Sequence, residues 1–168
     1  MESETGFPGP DVLFMRAALA QARRAFDAGE VPVGAVIARD GHLIACAFNQ
    51  VETLRDPTAH AEILAITQAT SVVGDWRLNG CTLYVTKEPC VMCAGAILLA
   101  RMDRVVWGVD DPLRGGAISR FPLLQSEAFN HQAEWSRGVL EDECRALLQE
   151  FFRQRRLGIG EKPAPPRG

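Results

Sequence analysis

The sequence predicts an α/β fold, a three-layer α/β/α sandwich with a central mixed sheet and helices on both of its faces. Two observations lead to this prediction. Segments with apolar residues at helical spacing alternate along the chain with short runs typical of strands, and this order indicates a sheet covered by helices. The first two predicted strands form an antiparallel hairpin, which makes the sheet mixed and not purely parallel.

The first predicted elements are a helix and this hairpin. Apolar residues recur at helical spacing between 11 and 28, and Gly29 is a good stop for the helix. Strands are predicted at 33–38 and 43–48, on either side of Asp40-Gly41. Asp-Gly between two apolar runs is a strong hairpin signal, so the two strands are expected to pair directly.

The remaining elements follow from the same reasoning. A loop at 49–58 leads to a second helix that starts near Ala59, with Thr58 as its predicted N-cap. Residues 1–10 and 159–168 are rich in Pro, Gly and charge and are predicted to be disordered ends, so the domain is expected at 11–158. The other predicted elements are a strand at 83–86, a helix at 90–100 after Pro89, strands at 105–109 and 135–140, and a closing helix at 141–157.

Length and composition narrow the class of protein. The chain has 168 residues, 47% of them hydrophobic and 23% charged, as expected for one globular domain. No apolar run approaches the roughly 20 residues that span a bilayer, and no secretory signal is visible, so a cytoplasmic protein is expected. The net charge of −3 argues against indiscriminate coating of nucleic acid, although Arg153, Arg155 and Arg156 form a local basic cluster.

A split motif carries the chemistry. His60-Ala61-Glu62 is followed by Pro89-Cys90-Val91-Met92-Cys93. Zinc favours nitrogen and sulfur ligands, and three protein ligands leave its fourth position open for a water. His60, Cys90 and Cys93 are therefore the predicted ligands of Zn²⁺, and Glu62 is left to move protons as a general base and acid. The pattern His-x-Glu…Pro-Cys-x-x-Cys is the known signature of zinc nucleobase deaminases.

The predicted helices explain how these side chains meet. Cys90 and Cys93 are three residues apart at a helix start, so they lie on one face. The partial positive charge of a helix N-terminus also favours thiolates. His60 lies at the start of a different helix, and two helix starts are therefore expected to converge on one cation.

The motif has two other possible interpretations, a structural zinc site and a redox-active cysteine pair. A structural zinc needs a fourth ligand, for which His42, His131 and Cys81 are the candidates, but none has a neighbouring partner at ligand spacing. A redox-active Cys-x-x-Cys pair would leave His60-Ala61-Glu62 unexplained.

Beyond the motif, the chain closely resembles the bacterial tRNA-specific adenosine deaminases, a family of the cytidine-deaminase-like superfamily. The resemblance extends from about Met15 to Arg156 and implies the fold of that superfamily. It also implies conversion of adenosine to inosine at the wobble position of a tRNA anticodon, and a homodimer. The segments that carry it are 31–36 (VPVGAV), 56–63 (DPTAHAEI), 83–96 (LYVTKEPCVMCAGA), Asn130-His131 and 151–156 (FFRQRR).

The resemblance also assigns residues by matching position. It implies that His60, Cys90 and Cys93 hold zinc and that Glu62 is the proton shuttle. It further implies that the target base is held by Val33, Asn49 and the backbone of Ala61, and that the RNA is contacted by Asp111, Asn130, His131, Phe151 and Arg153. For several of these residues an ordinary role is the alternative: helix core for Phe151 or Phe152, a solvated helix end for the arginines, and a surface turn for Asn130 and His131.

The chain departs from the family pattern in two places. The loop 111–119 lacks the usual lysine and the usual Gly-Ser ending, and Gln132 stands where an arginine is usual. These changes bear on RNA contact and on the choice of tRNA, not on the zinc chemistry. Two rival functions remain open at this point: a deaminase of a free base or nucleoside such as guanine or cytosine, and a non-catalytic RNA-binding module with a structural zinc.

Overall fold

The computed structural model describes residues 9–160, which form a five-stranded sheet with helices on both faces. The predicted three-layer sandwich is therefore confirmed. The helices are α1 (Pro10–Asp27), α2 (Val51–Leu54), α3 (Ala61–Val73), α4 (Val91–Leu99) and α5 (Glu141–Arg156), and the strands are β1 (Gly34–Arg39), β2 (His42–Phe48), β3 (Cys81–Lys87), β4 (Arg104–Val109) and β5 (Glu134–Arg137).

The direction of the strands brings four chain segments to one edge of the sheet. The strand order is β2-β1-β3-β4-β5. β1 runs antiparallel to both of its neighbours, whereas β3, β4 and β5 run parallel to each other. The carboxyl ends of β2, β3 and β4 therefore lie beside the amino end of β1. We call this the site edge, because every cavity-lining segment described below begins there or packs against it.

Each face of the sheet is covered by two helices. α1 and α5 cover one face, and α3 and α4 cover the other. The first core is made of residues such as Met15, Leu19, Val36, Tyr84, Val106 and Leu148, and the second of residues such as Ile37, Ala65, Leu83, Ile97 and Trp107.

Gly34 shows how closely α1 approaches the sheet. A Cβ atom at this position would lie 2.0 Å from the carbonyl oxygen of Ala18 and 2.4 Å from the backbone nitrogen of Ala22. Only glycine leaves room for such a contact between helix and strand backbones. The first residue of β1 is thereby fixed at the site edge.

The segment between β2 and α3 differs from its prediction. The loop predicted at 49–58 contains the short helix α2. The backbone N–H groups of Glu52 and Thr53 in this helix donate to the buried carboxylate of Glu30 at 2.9 and 2.7 Å. This tertiary cap comes from a residue more than 20 positions away, so no local signal reveals it. The prediction of Thr58 as an N-cap is wrong, because its hydroxyl donates to Asp56 at 2.7 Å and His60 holds the N-cap position of α3.

The predicted disordered ends lie almost wholly outside the described residues. Within the described part, Pro10 is already the first residue of α1. None of the helices between residues 9 and 160 is both long and apolar enough to cross a bilayer.

Candidate active site

The three predicted metal ligands come together at the site edge. Nδ1 of His60 lies 3.6 Å from Sγ of Cys90 and 3.5 Å from Sγ of Cys93. His60 immediately precedes α3, and Cys90 immediately precedes α4. The predicted convergence of two helix starts on one point is thus confirmed.

This cluster suits a metal ion by its donor set. One imidazole nitrogen and two thiol sulfurs lie within 4.8 Å of one another, and these are the donor types that zinc prefers. Within residues 9–160, no further His, Cys, Asp or Glu joins the group. The candidates for a fourth ligand in a structural site, His42, Cys81 and His131, are not part of it.

The cluster is poised to carry negative charge. The hydrogen bond with the Cys93 thiol lowers the pKa of Cys90 to about 4, and the contact with His60 acts in the same direction. The same hydrogen bond with Cys90, together with burial, raises the pKa of Cys93. The hydrogen bond to Cys90 raises the pKa of His60. Cys90 is therefore the thiol that ionises more readily, because the Cys93 thiol and the imidazole stabilise its thiolate.

Glu62 lies in the first turn of α3 and is only 4% exposed. Burial raises the pKa of its carboxyl group above the ordinary value. Its side chain lines the same cavity as His60 and Cys90. Glu62, two residues beyond His60, therefore shares one cavity with the cluster, and its raised pKa makes it a carboxylate that readily takes up a proton.

The cavity has a volume of about 590 Å³. Five of the residues predicted to hold the base or RNA line it: Val33, Asn49, Ala61, Asp111 and Phe151. Cys93 does not line it and is fully buried. The remaining lining residues include Glu30, Val31, Lys87, Glu88, Arg114, Phe152 and Arg155.

Asn49 is fixed by the residues around it. Its backbone N–H donates to the carbonyl of Val33 at 3.0 Å, and its side-chain Nδ2 donates to the carbonyl of Val31 at 3.2 Å. Asn49 is 9% exposed. Its amide is held in one orientation at the end of β2, as a group that recognises a ligand should be.

The aromatic pair on α5 divides into a core ring and an exposed ring. Phe151 is 6% exposed and packs edge-on against Phe26 and Phe152, with Arg155 above its ring at 4.8 Å. Phe152 is 43% exposed and also lines the cavity. The helix-core interpretation is therefore confirmed for Phe151, and Phe152 is the ring that is open to a nucleotide.

Three other predicted RNA contacts do not line the cavity. Arg153 is exposed and forms a bidentate ion pair with Glu150 at 2.8 and 2.7 Å. Asn130 is exposed, and Nε2 of His131 lies 2.6 Å from the carbonyl oxygen of Met102. Their contact with RNA stays a prediction.

Asp111 is held by its neighbours at the cavity. Nζ of Lys87 lies 3.0 Å from its carboxylate, and the N–H groups of Leu113 and Arg114 donate to it at 3.1 Å. Burial acts in the opposite direction, but these interactions outweigh it and lower the pKa of Asp111. The carboxylate is therefore ionised and largely neutralised by Lys87.

Sequence reasoning missed several residues of the site, notably Lys87, Glu88, Phe152 and Arg155. Lys87 and Glu88 directly precede Pro89 in the metal motif, and that position was the one available signal. The guanidinium of Arg155, which the sequence places only in a local basic cluster, donates to the carbonyl of Gly29 at the rim of the cavity. This contact joins residues 126 positions apart, and no sequence pattern indicates it.

The three-layer fold, the His-Cys-Cys cluster and the buried Glu62 in one cavity define a class of protein: this is a deaminase of nucleobases. A family model described as MafB19-like deaminase matches residues 11–156. The chain is 51% identical over 146 residues to the tRNA-specific adenosine deaminase of Bacillus subtilis (strain 168), a match that covers 87% of this chain and 91% of the relative. It belongs to the family of tRNA-specific adenosine deaminases.

Solved structures agree with this assignment. One, from studies of A-to-I editing by tRNA:A34 deaminases at the wobble position of transfer RNA, is 42% identical with a TM-score of 0.79 and is matched over 81% of this chain and 99% of its own. A guanine deaminase from Nitrosomonas europaea is 28% identical with a TM-score of 0.70, over 86% of this chain and 85% of its own. The fold is thus shared by deaminases that act on different purines.

Proposed function

We propose that this protein deaminates adenosine to inosine at the wobble position of a tRNA anticodon. The observation that carries the proposal is the placement of His60, Cys90 and Glu62 in one cavity of about 590 Å³. That volume lies within the range of about 300–1,000 Å³ that small-molecule pockets have. The kinship with tRNA-specific adenosine deaminases selects the base and its RNA context.

The cluster is proposed to hold a zinc ion through His60, Cys90 and Cys93. When bound, a catalytic zinc would lower the pKa of a coordinated water to about 7, so that hydroxide would be available at neutral pH. Two thiols and one imidazole at helix starts favour this cation because the helix N-termini stabilise thiolates. A structural zinc would use a fourth protein ligand, which the group lacks among residues 9–160.

Glu62 is proposed to move the protons. Hydrolytic deamination adds water to C6 of adenine, protonates ring nitrogen N1 and expels the exocyclic amine as ammonia. Glu62 takes one proton of the attacking water and delivers it to N1. It then takes the proton of the new C6 hydroxyl and passes it to the amine, which leaves as ammonia while C6 becomes a carbonyl. One carboxylate serves as base and then as acid, and the burial that raises the pKa of Glu62 makes the protonated form accessible between these steps.

Three residues at the site edge are proposed to hold the base. Val33 packs against the purine, the fixed amide of Asn49 bonds to the base or its sugar, and the backbone at Ala61 holds the purine edge. Ala61 is the first residue of α3, so no carbonyl of its own helix can accept its N–H. That group is free of helical bonding at the position where the purine edge is proposed to lie.

The rest of the RNA is proposed to contact the rim. Bases in an anticodon loop are more easily extruded than bases in a duplex. Phe152 offers an exposed ring on which a neighbouring base can stack, with a typical contribution of about 1–3 kcal/mol. Asp111, Asn130, His131 and Arg153 are proposed to contact the RNA around it.

Deamination of free guanine is the second candidate, because a guanine deaminase has a similar fold. The two functions are separated by a direct comparison. The zinc-loaded protein is incubated with an anticodon stem-loop that carries adenosine at the wobble position, with the same stem-loop carrying adenosine one position away, and with free guanine and cytidine. Inosine only in the first RNA supports the proposal, whereas ammonia release from free guanine without inosine in RNA rejects it.

We further propose a cytoplasmic homodimer. α4 and the loops after β4 leave large apolar side chains exposed, which is typical of a surface that meets another protein. The expected mass in solution is twice that of one chain, and sedimentation of the protein as a monomer at micromolar concentration would reject the dimer. The exposed side chains are Val91, Leu99, Leu113 and Phe121.

A further inference from the structure

Glu88 is a buried carboxylate to which the proposed chemistry gives no role. It lies between the end of β3 and Pro89 and is 3% exposed. Its backbone N–H donates to the carbonyl of Val109 at 2.9 Å, so it lies where β3 and β4 end side by side. Burying a carboxylate is costly unless hydrogen bonds compensate, and the identity of its donors therefore indicates its role.

All four side-chain hydrogen bonds of Glu88 come from the loop 111–119. Oε1 accepts the N–H of Asp111 at 3.1 Å and also the hydroxyl of Ser119. Oε2 accepts the N–H groups of Ile118 and Ser119, both at 3.0 Å. One carboxylate thus binds both ends of the loop, and these bonds satisfy both of its oxygens.

The loop also fits closely against the segment that carries the metal ligands. A Cβ atom on Gly115 would lie 2.4 Å from Oε2 of Glu88, so glycine is needed for the approach. The N–H of Gly116 donates to the carbonyl of Pro89 at 2.7 Å. Lys87, the other neighbour of Glu88, pairs with Asp111 at 3.0 Å. The adjacent residues Lys87 and Glu88 therefore both hold the loop 111–119: Glu88 binds mainly its backbone, and Lys87 binds the side chain of Asp111.

We propose that Glu88 is a positioning residue that fixes the loop 111–119, and with it Asp111, against the Cys90 segment. Glu88 also lines the cavity, but both of its carboxylate oxygens are taken up by the loop, so it sets the geometry of the cavity wall through the loop. This deepens the proposed function and, in its consequence for catalysis, rests on it. The loop is the part of the chain that lacks the usual lysine and Gly-Ser ending of the family, and Ser119 nonetheless supplies two of the four donors.

Glu88→Gln is the most specific test, because the substitution keeps the shape of the side chain and replaces one acceptor oxygen with an NH₂ group. If the new amide NH₂ takes the place of Oε2, it faces the N–H groups of Ile118 and Ser119, and both lose their partner. In the flipped orientation it faces the N–H of Asp111 and the hydroxyl of Ser119. The hydroxyl can rotate to accept, but the N–H of Asp111 stays unpaired. Either way the loop loses at least one bond to a charged acceptor.

Hydrogen exchange tests the inference without reference to any substrate. In the zinc-loaded protein, the amides of Asp111, Ile118 and Ser119 should exchange about tenfold or more faster in Glu88→Gln than in the wild type, as expected for loss of a charge-assisted bond. Exchange in α4 and the zinc content should stay unchanged. Equal exchange of the loop amides in both proteins would overturn the inference, and so would loss of zinc with an unchanged loop.

Two milder variants grade the effect and remain informative if Glu88→Gln does not fold. Ser119→Ala removes only the hydroxyl donor and should accelerate loop exchange by a few-fold. Lys87→Met removes the partner of the Asp111 side chain but leaves the Glu88 bonds, so it should leave the amides of Ile118 and Ser119 unchanged. If Lys87→Met alone accelerates all three amides, the ion pair and not Glu88 holds the loop.

Kinetics on the wobble-adenosine stem-loop then separates this role from catalysis. Glu88→Gln should raise KM about tenfold with kcat within about threefold of the wild type, and combining it with Asp111→Asn should add little, because both act through one loop. A fall in kcat alone, or fully additive losses, would overturn the positioning role. If the wild type edits no stem-loop, the proposed function fails, while hydrogen exchange still decides the role of Glu88.

Discussion

The metal centre and the rim of the cavity are built in opposite ways. The proposed metal centre would take its three ligands from two helix starts, and all three belong to one short motif pair, His60-Ala61-Glu62 and Cys90-Val91-Met92-Cys93. The rim is assembled from segments that are distant in sequence. Rigid elements fix the atoms that do chemistry, whereas the parts that meet a substrate are loops and a helix end, as is common in enzymes.

Two buried carboxylates fix the position of the rim, as the helix starts fix the position of the metal-ligand side chains. Glu30 is 1% exposed and caps α2, and Glu88 is 3% exposed and binds the loop 111–119. Hydrogen bonds from Ser119, Ile118 and Asp111 outweigh the effect of burial and lower the pKa of Glu88. The comparison suggests that the metal centre and the rim can be damaged separately.

The largest expected effect comes from the metal centre. Cys93→Ser should lose zinc, because a hydroxyl is a poor substitute for a thiolate, and deamination should fall by more than about 10⁴-fold, beyond the loss of a proton-transfer group alone. Zinc content by mass spectrometry and inosine formation are the measurements. Cys46→Ser is the matched control, because Cys46 is exposed and outside the cluster. Full activity of Cys93→Ser would refute the role of the cluster.

Glu62→Gln should separate chemistry from binding within the metal centre. The amide keeps the shape of the side chain but cannot accept the proton, so kcat should fall by about 10²–10⁴-fold. Zinc content and affinity for the stem-loop should stay close to wild type. A wild-type rate would show that another group moves the proton, and loss of zinc would show that Glu62 supports the metal site instead.

The aromatic pair on α5 tests the rim. Phe152→Ala should weaken stem-loop binding by about 5- to 150-fold, the loss of one stacked base, with an unchanged melting temperature. Phe151→Ala should instead destabilise the fold by about 3–5 kcal/mol, since its ring is buried. Binding titrations and thermal melts measure the two effects. The opposite result would be a Phe151→Ala variant that is stable but binds RNA weakly, together with a Phe152→Ala variant that binds RNA as the wild type does. That result would show that Phe151, and not Phe152, contacts the RNA.

The smallest effect should come from a site outside both regions. Asp11 forms a bidentate bond with Arg104 at 2.8 Å, and this bond lowers the pKa of Asp11. Because the pKa of Asp11 is lower in the folded than in the unfolded protein, its carboxylate stabilises the fold at pH values above 3.8, the unfolded pKa. This stabilisation is lost as the pH falls through the folded pKa.

Asp11→Asn should therefore reduce stability at pH 7 by less than about 1 kcal/mol, because water reaches the half-buried pair and screens it. The difference from wild type in thermal melts should shrink as the pH falls below 3.8 and vanish once it lies below the lowered folded pKa, where the carboxylate is protonated in both states. Zinc content and editing should not change at pH 7. A loss of editing in this variant would mean that the two regions depend on the far edge of the sheet after all.

The sequence was sufficient to predict the metal centre because local rules govern it. The spacing of Cys90 and Cys93, and the position of His60 before a helix, are properties of a few consecutive residues. The order of helices and strands and the Asp40-Gly41 turn likewise predicted a mixed sheet with covered faces.

Several residues of the rim were predicted, but its shape could not be, because long-range contacts determine it. The N-terminus of α2 is capped by Glu30 and not by a local residue, and the loop 111–119 takes its shape from Glu88. The choice between Phe151 and Phe152 for the core depends on the rotation of α5 against Phe26. Two adjacent phenylalanines give no local signal for that rotation.

The last turns of α5 and the first turn of α1 lie at opposite edges of the sheet, which has a practical consequence for handling this protein. Phe152 and Arg155 line the cavity in the last turns of α5, so an affinity tag fused just beyond this helix would begin beside the proposed entrance for RNA. Asp11, in contrast, is bound to Arg104 at the start of β4. This end of the six-residue strand lies about 20 Å from the end at the site edge. Purification tags and immobilisation linkers for binding assays are therefore best attached ahead of α1.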